Sequence, residues 1–426
     1  KAGFSAFLGS LVVILGGNGH SLWYLLKNRN MNEYWYADAT RFIHNTIHEF
    51  PSYSFVVADL HGHLIDLPFV LLFLYFLIDW VKKPTKWTEL SMGVLFGVMM
   101  MTNTWDVAVY GLLLVVIGMY KLKKNWRSFP DLIYSALRMV VGVVVTSLLW
   151  WWSFEPISSG ISMVKLRSPL WQLGVLWSLG LIINLIVWWV CKKNENKNLL
   201  RAISITTILL IIIPELVYAK DIYPDHPRAN TMFKLTYQAS IMIGLTFGVM
   251  LGNLKKFGLV LGALIFGGIM IFPFQSFPVF YEGLSRYKGL DGESWIKEDY
   301  VEKWEMINFL RQMNGQGNIV EAVGDSYTKL NMVSVFTGIP TIQGWRVHEW
   351  LWRGGYDKVA ERESQVKEVY EGNNTEKTRS ILDQYQVRWI VVGEDERKSY
   401  SVNHEKLKYL GEVVWKLNDA YIVEVR

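Results

Sequence analysis

The strongest constraint in the chain is a series of long apolar runs, each about 13–22 residues, that stops abruptly near residue 275. A helix crossing a bilayer needs ~20 such residues, and inside hydrocarbon every backbone N–H and C=O must be satisfied within the segment. The runs fall at 4–15, 66–81, 89–101, 107–120, 132–152, 170–191, 199–214, 235–253 and 257–274. They predict an α-helical polytopic membrane domain of about nine spans over residues 1–284. Composition agrees: 51% of residues are hydrophobic and there are 20 Trp. Residues 285–426 turn polar and read as a small α/β domain.

Basic residues orient the spans. Lys82, Lys83 and Lys86, then Lys121, Lys123, Lys124 and Arg127, then Lys192, Lys193, Lys197 and Arg201, and finally Lys255 and Lys256 occupy alternate loops. The positive-inside rule makes that side cytoplasmic. The opposite loops hold the polar clusters, and the C-terminal domain leaves on that side, so it is expected to be extracytoplasmic in a multi-pass protein of the cell membrane. The net charge of +5 is accounted for by these loops and is no nucleic-acid footprint. The single cysteine, Cys191, excludes an intrachain disulfide. A chain that starts at Lys1 and is apolar by Phe4 is expected to lack the N-terminal part of a longer protein.

The short runs on either side of Asn103-Thr104-Trp105-Asp106 are expected to meet at a polar elbow sunk into one leaflet. Beyond residue 300 the pattern predicts a helix at 301–313, a strand at 318–323, a helix at 375–385 and a buried strand at 387–393. A hairpin, 411–417 with 420–425, turns at Asn418-Asp419.

Four clusters carry chemistry. Asp59, His61 and His63 alternate, so an extended segment would turn all three one way. A carboxylate with two imidazoles can hold a divalent metal such as Mg or Mn, or supply a general base and its partner. The plainer reading is a polar loop that caps the next helix, with His63 and Asp66 at its start. In the elbow, Asp106 would be a recessed carboxylate, or Asn103 and Thr104 would only satisfy broken backbone beside Trp105 as an interface anchor. Next, residues 223–230 contain His226, Arg228 and Asn230 and precede Lys234. Arg228 and Lys234 could clamp a phosphate at a helix N-terminus. Alternatively Lys234 snorkels and Arg228 pairs with Asp225. Finally, residues 344–354 pack Trp345, His348, Glu349, Trp352 and Arg353 together, suited to a sugar ring or to a surface resting on membrane. The chain has no Walker loop, dinucleotide fingerprint, nucleophile elbow or paired-cysteine metal site.

These blocks resemble an uncharacterised bacterial and archaeal multi-pass membrane family nicknamed for a Tyr-Tyr-Tyr motif. The resemblance is carried by Glu49-Phe50-Pro51, by Ser54 through His63 with Leu67-Pro68-Phe69, and by Asn103 through Asp106. Arg228 through Lys234 with Tyr237-Gln238 follows, then Thr337 through Thr341 and His348-Glu349 with Trp352-Arg353-Gly354. It implies kinship with the GT-C superfamily, whose enzymes use polyprenyl-phosphate sugars outside the membrane with an acidic residue in the first external loop. Family members usually have further N-terminal spans, and the catalytic acid is then expected outside this chain. Gly62 stands where proline is expected, which would loosen the backbone between the two histidines.

The expected function is therefore a GT-C-like glycosyltransferase that moves a sugar from a polyprenyl-phosphate donor to an extracytoplasmic glycan, lipid or protein acceptor. Asp59, His61, His63 and Asp106 would be catalytic. Glu49, Asn103, Trp105, His226, Arg228, Asn230, Lys234, Gln238, Trp345, His348, Glu349, Trp352 and Arg353 would contact substrate. Two rivals make different demands: a transporter or flippase for a lipid-linked glycan needs polar groups deep inside several spans, and a non-catalytic assembly protein needs no site at all.

Overall fold

A computed structural model describes residues 2–154, 160–192, 194, 196–221, 225–283, 287, 289–313, 317–352 and 355–426. The chain packs into two units, Lys1–Arg286 and Tyr287–Arg426.

The first unit is helical: α1 (Ala2–Leu15), α2 (His20–Asn28), α3 (Asp38–Arg41), α4 (Pro51–Val56), α5 (Gly62–Ile65), α6 (Leu67–Lys82), α7 (Lys86–Thr102), α8 (Thr104–Lys124), α9 (Phe129–Ser153), α10 (Leu170–Val190), α11 (Lys197–Ile212), α12 (Ala229–Asn253) and α13 (Lys256–Phe280). Two short strands, β1 (Ile161–Met163) and β2 (Val217–Ala219), pair antiparallel. Among the described residues seven helices are long and apolar enough to cross a membrane, and there are eight spans if α1 and α2, bent by 81°, count as one. The count differs from nine because α7, at 17 residues, falls short and α1 is continued by a bend. The outer face of α9 is apolar, with Val145, Leu149 and Trp152 at 77%, 89% and 92% exposure, as expected for a surface solvated by lipid. By contrast α12 lies inside, burying Leu235, Met242, Phe247 and Met250.

The elbow is a hairpin rather than a shallow dip. Thr104-Trp105-Asp106 form the first turn of α8, so only Asn103 interrupts the helices, and α8 runs 21 residues. Its far end places the Lys121 ammonium 3.5 Å from the Trp80 ring centroid, near the last turn of α6. Both helices thus reach the lysine-rich end, because the polar residues flanking each apolar run are helical too.

Small residues set the closest helix contacts. Gly93 and Gly97 on α7, four apart, face Gly142 and Thr146 on α9, and Gly9 on α1 faces Gly248 on α12. This is the small-xxx-small geometry that lets backbones touch where lipid removes the usual hydrophobic drive. A Cβ at Gly93 would sit 2.2 Å from the Met139 carbonyl oxygen, whereas one at Gly111 meets nothing within 4 Å. Gly93→Ala should therefore lower stability by on the order of 3 kcal/mol. Gly111→Ala, equally helical, should not, and thermal unfolding of the two in detergent is the comparison.

The second unit holds α14 (Ser294–Asp299), α15 (Val301–Gln312), β3 (Asn318–Val320), α16 (Met332–Thr337), α17 (Arg346–Trp352), α18 (Asp357–Glu371), α19 (Thr375–Gln384), β4 (Val387–Val392), α20 (Glu394–Ser399), α21 (His404–Leu410), β5 (Gly411–Leu417) and β6 (Ala420–Val425). The sheet order is β3-β4-β6-β5, with β3 and β4 parallel and the rest antiparallel. β4 is apolar on both faces because helices cover both. Trp389 and Val391 meet Ile307 and Leu310 of α15, while Ile390 and Val392 meet Val366 and Val369 of α18 and Leu382 of α19. The β5–β6 turn takes Asn418 at φ +53°, the left-handed conformation that asparagine tolerates.

Behind β3, Glu321 is buried and accepts the N–H groups of Val333 (3.2 Å) and Ser334 (3.1 Å) at the start of α16. Desolvation outweighs these bonds and pushes its carboxyl up to about 7 from 4.5. The folded state then holds the proton more tightly than the unfolded chain. Its contribution is complete below about 4.5 and is lost as pH rises through 7, on the order of 3 kcal/mol at most. Hydrogen exchange over β3 and β4 should show the unit loosening from pH 5 to 8, corrected for intrinsic rates. Glu321→Gln should flatten that change.

Candidate functional site

The site begins in the segment between α3 and α6. Pro51 opens α4 with its fixed φ, and Phe50 is buried against Phe272 of α13, which anchors Glu49 at the helix start. Arg41 from α3 reaches back to Glu49, 2.7 Å from its carboxylate. Burial raises the Glu49 carboxyl above its usual range and Arg41 opposes the rise. After α4 the chain turns through Ala58 at φ +52°, and the Asp59 N–H bonds the Ser54 carbonyl at 2.9 Å.

Asp59, His61 and His63 do converge, though not along an extended wall. His61 precedes α5 and His63 lies inside it, so the turn brings both rings beside one carboxylate. Asp59 bonds the His61 ring directly, and its second oxygen lies 3.8 Å from His63 Nε2. The imidazoles stack with centroids 5.9 Å apart. His61 stays half in solvent, while His63 is buried between Phe233 and Tyr237 of α12 and meets Ser54 Oγ at 3.2 Å.

Gly62 is held rather than loose: a Cβ there would fall 2.3 Å from the Thr102 carbonyl oxygen at the end of α7. Asp66 stands at the N-cap of α6, yet its side chain makes no capping bond. Instead its carboxyl lies against that of Asp106, and both residues are fully buried. Gln238 donates to Asp106 at 2.7 Å and accepts from Tyr110 at 2.7 Å.

Lys234 connects the two layers. Its Nζ lies 3.4 Å from His63 Nδ1, and its charge faces Asp106, Glu49 and Asp59. Lys234 and Gln238 are four apart on α12, hence on one face, and that face meets the carboxylates.

Arg228 lies in a different network. Its guanidinium donates to Glu215 at 2.7 Å and to Ser168 at 3.1 Å, with both members of the ion pair about 90% buried. The partner is Glu215, not Asp225, whose side chain is exposed. The expected clamp of Arg228 with Lys234 is thus divided, because Arg228 is engaged by a buried carboxylate. Nearby His48 bonds Thr46 at 2.8 Å, and burial, aided by Arg228 and Arg41, pushes it down to about 3 and keeps it neutral.

The remaining candidates scatter. Asn103 is buried at the α7–α8 break. Trp105 lines a small apolar cavity of 190 Å³ with Leu112, Leu210 and Leu235. His226 is exposed, and Asn230 is half-buried in the first turn of α12.

In the second unit, Trp345 donates to the Leu330 carbonyl at 3.0 Å and, with Tyr327, Trp295 and Lys329, lines a cavity of 640 Å³. His348 bonds Ser326 at 2.8 Å and packs on Trp345 and Tyr327. Glu349 sits on the same short helix, with a carboxylate oxygen beside Gly344. The Trp352 side chain and Arg353 lie outside the described residues.

Sequence reading does not single out Arg41, Tyr110 or Glu215, it brings in Ser54 and Tyr237 only as carriers of the resemblance, and it gives Asp66 a capping role alone. Two of them carried a usable signal. Tyr110 lies four residues after Asp106 on one helix face, and Asp66 heads an apolar run where an unpaired acid is costly.

Among the described residues, Glu49, Asp59 and His63 each offer a ligand atom, all within 4.8 Å of one another. Two carboxylates and an imidazole fit a divalent cation that accepts mixed oxygen and nitrogen donors. His61 is not in that set, since its near nitrogen is turned to Asp59.

A bundle of membrane-length helices with titratable groups gathered at one end, followed by a small α/β unit, defines a multi-pass membrane protein. The family described as "Uncharacterized membrane protein (DUF2298)" matches residues 1–203 and 178–243. The match spans more than half of the 426 residues, and the chain belongs to that family. No curated protein matches it.

Proposed function

We propose that this protein is a GT-C-like glycosyltransferase that transfers a sugar from a polyprenyl-phosphate donor to an extracytoplasmic acceptor. The observation that supports it most is the meeting of Glu49, Asp59 and His63 with the Lys234 ammonium, at the end of the bundle opposite the lysine-rich connections. Transfer forms a bond from an acceptor hydroxyl to the sugar's anomeric carbon and breaks the bond from that carbon to the lipid phosphate. Asp59, oriented by His61, takes the hydroxyl proton. Lys234 offsets the charge gathering on the departing phosphate, as a point charge rather than a fork. A divalent cation such as Mn or Mg held by Glu49, Asp59 and His63 would supply further electrostatic stabilisation of that anion. The aromatic wall of Tyr327 and Trp345 in the second unit is of a kind that suits a sugar ring. Under this reading the reaction side and the C-terminal unit are extracytoplasmic.

The test is sugar transfer by the purified full chain from labelled polyprenyl-phosphate donors in vesicles. Labelled acceptor is the expected result. No transfer, together with movement of a lipid-linked glycan between leaflets, would replace this reading with a flippase. One feature favours that second reading: Asp66, Asp106, Gln238 and Tyr110 form a polar group buried between α6, α8 and α12, the kind of interior that transport requires.

A further inference from the structure

At the other end of the helical unit, where α6 and α8 finish and α7 and α9 begin, a polar cavity of 430 Å³ opens. Trp80, Lys86, Glu89, Lys121, Ser135 and Arg138 line it. That volume is within the range of ligand pockets. Glu89 is buried and fully engaged: Arg138 donates to it at 2.6 Å, Trp80 Nε1 at 3.3 Å, and the Ser135 hydroxyl also bonds it. The carboxylate therefore serves to hold Arg138, whose guanidinium has further N–H donors and whose side chain is about half exposed. Lys121 is fixed over the Trp80 ring, and Lys86 stands at the rim, its ammonium 5.4 Å from the Trp87 ring. With Glu89 matched by Arg138, two lysines face one remaining acid of the wall, Asp131.

The outer boundary of this cavity is not aqueous in character. Beside Arg138 on α9, Leu137, Val140, Val141 and Val144 are exposed at 56%, 54%, 54% and 46%, an apolar strip that only hydrocarbon would cover. Cations in a recess flanked by such a strip match a phosphate that carries acyl chains, and basic pockets between transmembrane helices recognise anionic headgroups in this way. We propose that this cavity binds the phosphate headgroup of an anionic phospholipid from the leaflet at the lysine-rich end, with the acyl chains along α9. The site is independent of the transferase reading and lies at the opposite end of the bundle.

The test is native mass spectrometry of the purified full chain with phosphatidylglycerol or phosphatidylcholine, with and without excess inorganic phosphate. Phosphatidylglycerol should be retained about tenfold or more over phosphatidylcholine, and inorganic phosphate should not displace it. Lys86→Gln with Lys121→Gln should abolish the preference while leaving thermal unfolding unchanged. If that pair destabilises the protein, Lys86→Glu alone, at an exposed position, should still reduce the preference. Equal retention of the two lipids, a preference that survives the lysine variants, or complete displacement by inorganic phosphate would overturn the proposal.

Discussion

Arg228→Ala should cost the helical unit about 3–5 kcal/mol, one of the two largest effects expected in the molecule. The reason is asymmetry. Glu215 would keep the N–H and hydroxyl of Ser168, at 2.8 and 2.6 Å, but lose the only cation among its described partners while still about 90% buried. An uncompensated buried charge is far more costly than a buried pair removed whole. Arg228→Met combined with Glu215→Leu should therefore recover most of the lost stability, as read by thermal unfolding in detergent. The double variant also separates two roles. If it regains both stability and turnover, the arginine is structural. If it regains stability alone, the guanidinium also meets substrate. An unchanged melting temperature for Arg228→Ala would contradict the ion pair itself.

The second large effect concerns Asp59. Replacement by asparagine keeps the volume and the contact with His61 but removes the charge and the capacity to accept a proton. Transfer should fall about a hundredfold or more, the usual worth of a general base. The melting temperature should hardly move, because asparagine keeps the side-chain volume and the bond to the half-exposed His61 ring. His61→Gln should give a smaller loss, since it orients the carboxylate rather than reacting. Full activity in Asp59→Asn would remove Asp59 from the mechanism and leave Glu49 as the acid in reach.

The two variants probe parts of the chain that were unequally legible in the sequence. Apolar run length located the helices, because membrane burial acts on composition over many residues. The same signal lost the helix ends, where Lys86, Thr104 and Lys121 are polar yet helical. The hairpin at Asn418 was readable since its turn chemistry is local. Proximity was not readable: nothing in spacing says that Arg228 would find Glu215 rather than Asp225, or that Lys234 would face His63. Those pairings are set by how α12 threads between α8, α10 and α11, a tertiary fact. The three alternating residues Asp59, His61 and His63 were grouped correctly for an incomplete reason. Alternation suggested a strand, whereas a turn and a short helix bring them together and add Glu49 from just before α4.

The contact between Gly62 and the Thr102 carbonyl has a mechanical meaning. It rivets the histidine loop to the last turn of α7, one residue before the break that starts α8 and three before Trp105-Asp106. Outer imidazoles and inner carboxylates consequently share one rigid mount, and neither set can shift without dragging the other. A methyl group at position 62 would act as a wedge, prising the two layers apart and disturbing both at once.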